Sequence, residues 1–174
     1  MLEIGAGTGF NAEHYPEAVE ELVITEPSPA MLRRAERRAG TTGRKVQALR
    51  ASAEDLPFED ASFDTVVSTF VLCSVDDEAR TLAELRRVLT AGGTFLFIEH
   101  VRSDEPGLAR WQDRLERAWG VVALGCHPNR RTRDRIEEAG FELAAIEPGE
   151  LPRSPAIVRP MITGRAVRPR TSTI

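Results

Sequence analysis

Apolar and polar positions alternate in blocks along this chain. Met1–Ile4 is a short apolar run that enters the loop Gly5-Ala6-Gly7-Thr8-Gly9, and helix-compatible residues follow from about Phe10 to Glu20. That order predicts strand, tight turn and helix. Leu22–Thr25 is a second β-rich run closed by Glu26-Pro27, and Ser28 stands where it can cap a helix carrying Met31, Leu32 and Ala35. A weaker strand over Val46–Ala51 and a loop over Ala53–Ala61 lead to Phe63–Phe70, a β-branched run that reads as buried on both faces. From Asp76 the spacing turns helical, with Ala79, Leu82, Leu85 and Leu89 on one stripe. Gly92-Gly93 is expected to end that helix before a fifth strand, Thr94–Glu99. Leu108–Val122 is amphipathic, Thr132–Ala139 reads as a short helix closed by Gly140, Phe141–Glu147 as a sixth strand and Ile157–Val167 as a seventh. The β/α alternation predicts an α/β fold with a Rossmann-like, seven-stranded, mostly parallel sheet and helices on both faces.

Composition narrows the function classes. The 174 residues suit one domain, expected over 1–168 with a basic tail over 169–174. With 41% hydrophobic and 29% charged residues the chain is ordinary globular protein, and a net charge of −4 gives no footprint for a nucleic-acid backbone. Leu151–Ile174 holds five Arg and no acid; Arg165, Arg168 and Arg170 read as charges that keep an edge strand and a terminus soluble. Cys73 and Cys126 lie far apart, in neither a C-x-x-C nor a Cys/His cluster, so no disulfide scaffold and no metal site is expected. The apolar runs fall well short of the ~20 residues of a membrane span. No signal peptide is visible, and a cytoplasmic protein is the expectation.

Glycines after a first strand let the backbone turn tightly and let a ligand approach closely. The dinucleotide fingerprint G-x-G-x-x-G would put its third glycine at Phe10; the chain has Gly9 instead, giving G-x-G-x-G. Glu3, two residues before the loop, would repel a pyrophosphate and suit a cationic group such as an α-amine or a sulfonium. Glu26 follows Gly5 by 21 positions at the end of the second strand, where a carboxylate can accept both ribose hydroxyls. Alone it would read as a solvated turn carboxylate; behind a glycine loop it reads as a nucleoside contact.

These residues resemble the class I S-adenosylmethionine-dependent methyltransferases of the methyltransferase type 11 group. Leu2-Glu3-Ile4-Gly5-Ala6-Gly7-Thr8-Gly9 is similar to the family's first motif and Glu26-Pro27-Ser28-Pro29-Ala30-Met31-Leu32 to its ribose-binding stretch. Leu56-Pro57-Phe58, Ser62-Phe63-Asp64 and Leu85-Arg86-Arg87-Val88-Leu89 with Gly92-Gly93 match further signatures, and the likeness runs over nearly the whole chain. The loop motifs alone resemble the quinone-biosynthesis C-methyltransferases. Val71-Leu72-Cys73-Ser74-Val75, Glu99-His100-Val101, Ala118-Trp119, Gly125-Cys126 and Val158-Arg159-Pro160 with Gly164 look more like the animal methyltransferase-like proteins that methylate small alkyl thiols at membranes.

The resemblance implies S-adenosyl-L-methionine as cofactor and a small-molecule methyl acceptor. It implies that Glu3 and Gly5, Ala6, Gly7, Thr8 and Gly9 hold the methionine part, Glu26 the ribose, and Pro27 and Met31 the two faces of adenine. Ala53 and Glu54 would lie at the adenine edge, where Ser52 replaces the family's frequent Asp, and Thr69, Phe70 and Val71 would close the fourth strand beside the cofactor. Transfer of an activated methyl asks chiefly for alignment and exclusion of water. His100, just beyond the fifth strand, is the candidate to meet an acceptor and take a thiol proton; its plainer reading is a hydrogen-bonding loop residue. Cys126-His127 could be a reactive pair or an apolar filler beside a surface histidine. Trp111 and Trp119 share a helical face and either line an acceptor pocket or pack the helix.

Met1 falls in the middle of the family's first strand, and the helices that usually precede it, which lid the cofactor, are missing from the chain. The animal relatives carry a membrane anchor in that region, so peripheral membrane contact is compatible with this chain. The residues are compatible with a small-molecule methyltransferase with sulfur, oxygen, nitrogen or carbon as acceptor atom and with a catalytically silent cofactor-binding regulatory module; Phe10 disfavours a nicotinamide-dependent oxidoreductase. Oligomeric state is not legible.

Overall fold

The computed structural model describes residues 1–123 and 125–170. Its strands are β1 (Leu2–Ile4), β2 (Glu21–Thr25), β3 (Lys45–Leu49), β4 (Phe63–Thr69), β5 (Leu89–His100), β6 (Glu142–Glu150) and β7 (Pro160–Val167). The helices are α1 (Pro29–Ala39), α2 (Glu78–Val88), α3 (Pro106–Val122) and α4 (Thr132–Glu138). One sheet joins the seven strands in the order β3-β2-β1-β4-β5-β7-β6. The first five are parallel, and β7 runs antiparallel between β5 and β6.

Burial follows this order. The main core gathers Leu2, Ile4, Val66, Phe95 and Phe97 from the sheet with Leu82, Leu85 and Val88 from α2 and Ile136 from α4. Each such side chain taken fully out of water stabilises the fold by roughly 1.5–3 kcal/mol. A second cluster packs Ala6, Ala12, Leu22 and Ile24 against Ala35 and Ala39 of α1. Because α1 is anchored there, its Ala35 and Arg38 lie against the glycine loop, while its amino end follows Glu26 and Pro27. Ser28 caps that end, its hydroxyl accepting from the Met31 N–H at 3.5 Å.

Several boundaries differ from the sequence reading. The helix expected over Phe10–Glu20 is a single 3-10 turn, Phe10–Glu13. Pro16 lacks a donor and disfavours helical backbone at Tyr15, so the turn cannot propagate. The α2 helix ends at Val88 rather than at the Gly pair, because Leu89 is already extended and pairs with Phe63. Ala156–Val158 forms a 3-10 turn, and β7 begins only at Pro160. The arginines of the last strand do not guard an edge, since β6 covers β7. Arg168 instead ties the chain end to α2 and β5: its N–H donates to the Gly93 carbonyl at 2.9 Å and its guanidinium to the carbonyls of Arg87 and Leu89. Positions 171–174 of the basic tail lie outside the described residues.

Candidate active site

In an open parallel sheet, ligands bind outside the carboxyl ends of the strands where the order reverses. Here that crevice lies at the ends of β1 and β4. Glu3 of β1 is 2% exposed. Its Oε1 accepts from Asn11 Nδ2 at 2.9 Å, and the same amide nitrogen donates to Thr69 Oγ1 at 3.0 Å. Its Oε2 is buried with no hydrogen-bond partner among the described residues. Burial pushes the Glu3 carboxyl above its ordinary value. The neighbouring Tyr15 hydroxyl is also pushed up, first by burial and then by the charge of Glu3. A buried carboxylate with one free oxygen is costly on its own and suits a cationic ligand group.

The glycine loop divides its labour. A Cβ on Gly9 (φ 79°) would stand 2.8 Å from the Ala35 Cα, so Gly9 lets the loop lie against α1. Gly7 (φ 56°) has nothing within 4 Å of that position and offers bare backbone to a ligand. Ala6 donates its N–H to the Thr25 carbonyl at 2.9 Å, and the Thr8 carbonyl accepts from Arg38 at 3.3 Å. Glu26, at the end of β2, accepts the N–H groups of Gly7 and Ser28, each at 2.9 Å. Each carboxylate oxygen retains a further lone pair for a ribose hydroxyl. Pro27 is exposed beside it and Met31 half-buried on the first turn of α1.

Ala53 is buried in the main core. The Glu54 side chain has other work: its Oε1 accepts the Asp77 N–H at 2.7 Å, just before α2, and its carbonyl accepts from Arg80 at 2.8 Å. Ser52 Oγ accepts the Glu54 N–H at 3.3 Å. An adenine contact from this turn would therefore come from backbone more readily than from the Glu54 carboxylate.

Beyond Thr69 the chain turns sharply at Phe70, whose φ of 57° is unusual for a bulky residue. The Phe70 ring stacks on His100, with 4.4 Å between centroids and 27° between planes. His100 Nδ1 faces Cys73 Sγ at 3.6 Å and Cys126 Sγ at 3.7 Å, and the sulfurs are 3.9 Å apart. His100 Nε2 is buried without a partner among the described residues. The hydrogen bond with Cys126, then burial, pushes the Cys73 thiol up, while the contact with Cys73 draws the Cys126 thiol down. Beneath them Glu99, fully buried, accepts from Ser68 Oγ at 2.5 Å and from the N–H groups of Val71 at 3.1 Å and Cys73 at 3.3 Å. Burial raises its carboxyl while those donors oppose the shift.

Of the two readings of Cys126-His127, the reactive pair is not formed. His127 Nδ1 meets Glu116 Oε1 at 2.5 Å, and Cys126 turns to Cys73 and His100. Trp119 packs with this cysteine cluster, whereas Trp111 is 54% exposed, so the two do not form one pocket wall. Asn11 and Tyr15 are site residues absent from the sequence reading, whereas Cys73 and Glu99 stand in its motif stretches with no role assigned to them. Asn11 carries a local signal, two positions past Gly9.

The free Glu3 oxygen, the open Gly7 backbone and the Glu26 carboxylate together fit a cationic nucleoside. A family profile described as "Methyltransferase domain" matches residues 2–97. The chain belongs to the S-adenosylmethionine-dependent methyltransferase family. It is 36% identical to thiol S-methyltransferase TMT1A of Homo sapiens over 97% of this chain and 70% of that protein. Thiol S-methyltransferase TMT1B of Rattus norvegicus gives the same identity and the same coverage. The fold is that of an S-adenosylmethionine-dependent methyltransferase from Methanosarcina mazei, with a TM-score of 0.75, 21% identity, and 97% of this chain and 92% of that one covered. The protein is thus a class I methyltransferase that uses S-adenosylmethionine, and the silent-module alternative finds no support. No helix among the described residues is long and apolar enough to cross a membrane.

Proposed function

We propose that this methyltransferase transfers the methyl group to a small thiol bound between the carboxyl ends of β4 and β5. The observation that carries the reading is His100. It ends β5 two positions past Ile98, the register partner of the strand-end Thr69 that Asn11 links to Glu3; it is stacked by Phe70, and its buried Nε2 has no partner among the described residues. The 36% identity to thiol S-methyltransferases supports sulfur as the acceptor atom.

When bound, S-adenosylmethionine supplies a methyl group already activated by its sulfonium. The protein has to hold the partners in line and keep water out, effects that can reach ~7–11 kcal/mol. Glu3 would face the cationic methionine part across the Gly5–Gly9 backbone, Glu26 the ribose, and Pro27 and Met31 the adenine. Ala53 and the backbone of Glu54 would border its edge, with Thr69 beside the transferred group. His100 Nε2 is the acceptor for the thiol proton, leaving the thiolate that attacks.

The test is mass-spectrometric detection of methylated product from a panel of small thiols, alcohols, amines and phenols. Thioether product, lost in His100→Ala with S-adenosylmethionine affinity retained, is expected. Turnover of an alcohol or amine in preference to every thiol would overturn the reading.

A further inference from the structure

We infer that Cys73, His100 and Cys126 form an open three-ligand site for a thiophilic divalent cation of the zinc class, whose fourth position takes the acceptor thiol. The fourth ligand rests on the thiol reading above; the three protein ligands do not.

The geometry of the triangle carries the argument. Cys73 Sγ, Cys126 Sγ and His100 Nδ1 stand 3.9, 3.6 and 3.7 Å apart. Tetrahedral zinc with Zn–S of about 2.3 Å and Zn–N of about 2.0–2.1 Å sets S···S near ~3.8 Å and S···N near ~3.6 Å. The three atoms already match those edges. Cys₂His with one open position is also a donor set that catalytic zinc uses.

Three chain segments supply the ligands, and each is fixed by contacts of its own. Cys73 lies in the loop after β4, where its N–H donates to Glu99 and its carbonyl accepts the His127 N–H at 2.6 Å. Arg130 donates to the carbonyls on either side of it, Leu72 and Val75. His100 ends β5 under Phe70, and Cys126 sits on the connection between α3 and α4. A site assembled this way is preorganised: the Glu99 carboxylate fixes the backbone of Cys73 through its N–H at 3.3 Å.

Coordination through Nδ1 would leave the imidazole proton on Nε2, so with the cation bound His100 orients and the cation takes over thiol activation. The S–H bond of the incoming thiol breaks as its sulfur binds, and the proton leaves to water. The sulfur lone pair then forms the new S–CH₃ bond as the methyl–sulfonium bond breaks. That bond's electron pair stays on the cofactor sulfur, which becomes a neutral thioether. No oxidant or reductant enters.

The experiment loads the purified reduced chain with zinc alone and measures bound metal after gel filtration, then repeats the loading with cobalt(II) and records absorption. The expected result is about one equivalent of zinc, as a structured Cys/His site holds its metal through purification. Cobalt should give a thiolate-to-metal charge-transfer band that shifts on addition of 2-mercaptoethanol. C126S and H100A should each weaken metal binding about tenfold or more, while H127A should not. Because both cysteines are buried and C73S could misfold, the cobalt charge-transfer band of the unmutated chain serves as the independent readout. Zinc below a tenth of an equivalent, equal retention by C126S and H100A, or isolation of a Cys73–Cys126 disulfide in place of a metal complex would each overturn the site. A cobalt band that ignores the thiol would overturn the open fourth position. Thiol methylation by zinc-free protein at an unchanged rate would overturn the cation's role and leave the thiol reading intact.

Discussion

Phe70 stacks on His100 from a left-handed backbone, with 4.4 Å between the ring centroids. Holding a bulky residue at positive φ costs about 1–2 kcal/mol. The stack, and the bond from the Phe70 N–H to the Ile98 carbonyl at 2.8 Å, offset that cost. Phe70→Asn keeps a residue that tolerates this backbone while deleting the ring. We expect a net stability loss of only ~1 kcal/mol, since relieved strain and lost packing oppose each other. Methyl transfer should fall further, about tenfold in kcat/KM, as His100 loses its support. Denaturant unfolding and steady-state kinetics on the same preparation separate the two effects.

Gly7 is the loop position where bare backbone faces open space. Gly7→Val should cost about 1–2 kcal/mol of stability through its positive φ and abolish S-adenosylmethionine binding. Glu26→Ala should weaken binding by ~1–3 kcal/mol by removing charge-assisted acceptors for ribose. Its loss also frees the N–H groups of Gly7 and Ser28, so the loop should loosen. Calorimetric titration with S-adenosylmethionine checks both; normal affinity in a folded Gly7→Val chain would move the cofactor elsewhere.

Glu3 gives a pH signature. Burial raises its folded carboxyl above the ordinary 4.5, so the folded state holds this proton more tightly than the unfolded state. Its contribution to stability is fully present below pH 4.5 and is lost as pH rises through the folded value. Glu3→Gln keeps the acceptor for Asn11 without the charge. It should therefore be more stable than the unmutated chain at neutral pH, lose part of the stability decline above pH 4.5, and bind S-adenosylmethionine more weakly. Thermal unfolding across pH with a binding titration at pH 7 tests the opposed signs.

Glu99 holds the loop after β4 by accepting from Ser68, Val71 and Cys73. Glu99→Ala leaves three buried donors unpaired, at a cost of about 1–3 kcal/mol for each donor that water cannot reach. The loop 70–75 should then exchange its amide protons faster than β4 and β5, which hydrogen-exchange mass spectrometry can resolve. Uniform protection would show that the loop does not depend on this carboxylate.

The chain by itself determined the parallel half of the sheet and the cofactor loop. Those features are local: the buried run Phe63–Thr69, the spacing of Leu82 and Leu85, and glycines five residues into the chain act within a few positions of one another. Glu26 was legible for the same reason, because a strand and a turn fix its distance from the loop. Boundaries were less so: Pro16 cut the helix after Gly9 to one turn, and pairing with Phe63 claimed Leu89 for a strand. Only tertiary structure could place β7 inside the sheet, since edge or interior is decided by which strand lies across it. Only tertiary structure could bring Cys73, His100 and Cys126 together, because three ends of three elements meet there and no sequence spacing encodes that meeting.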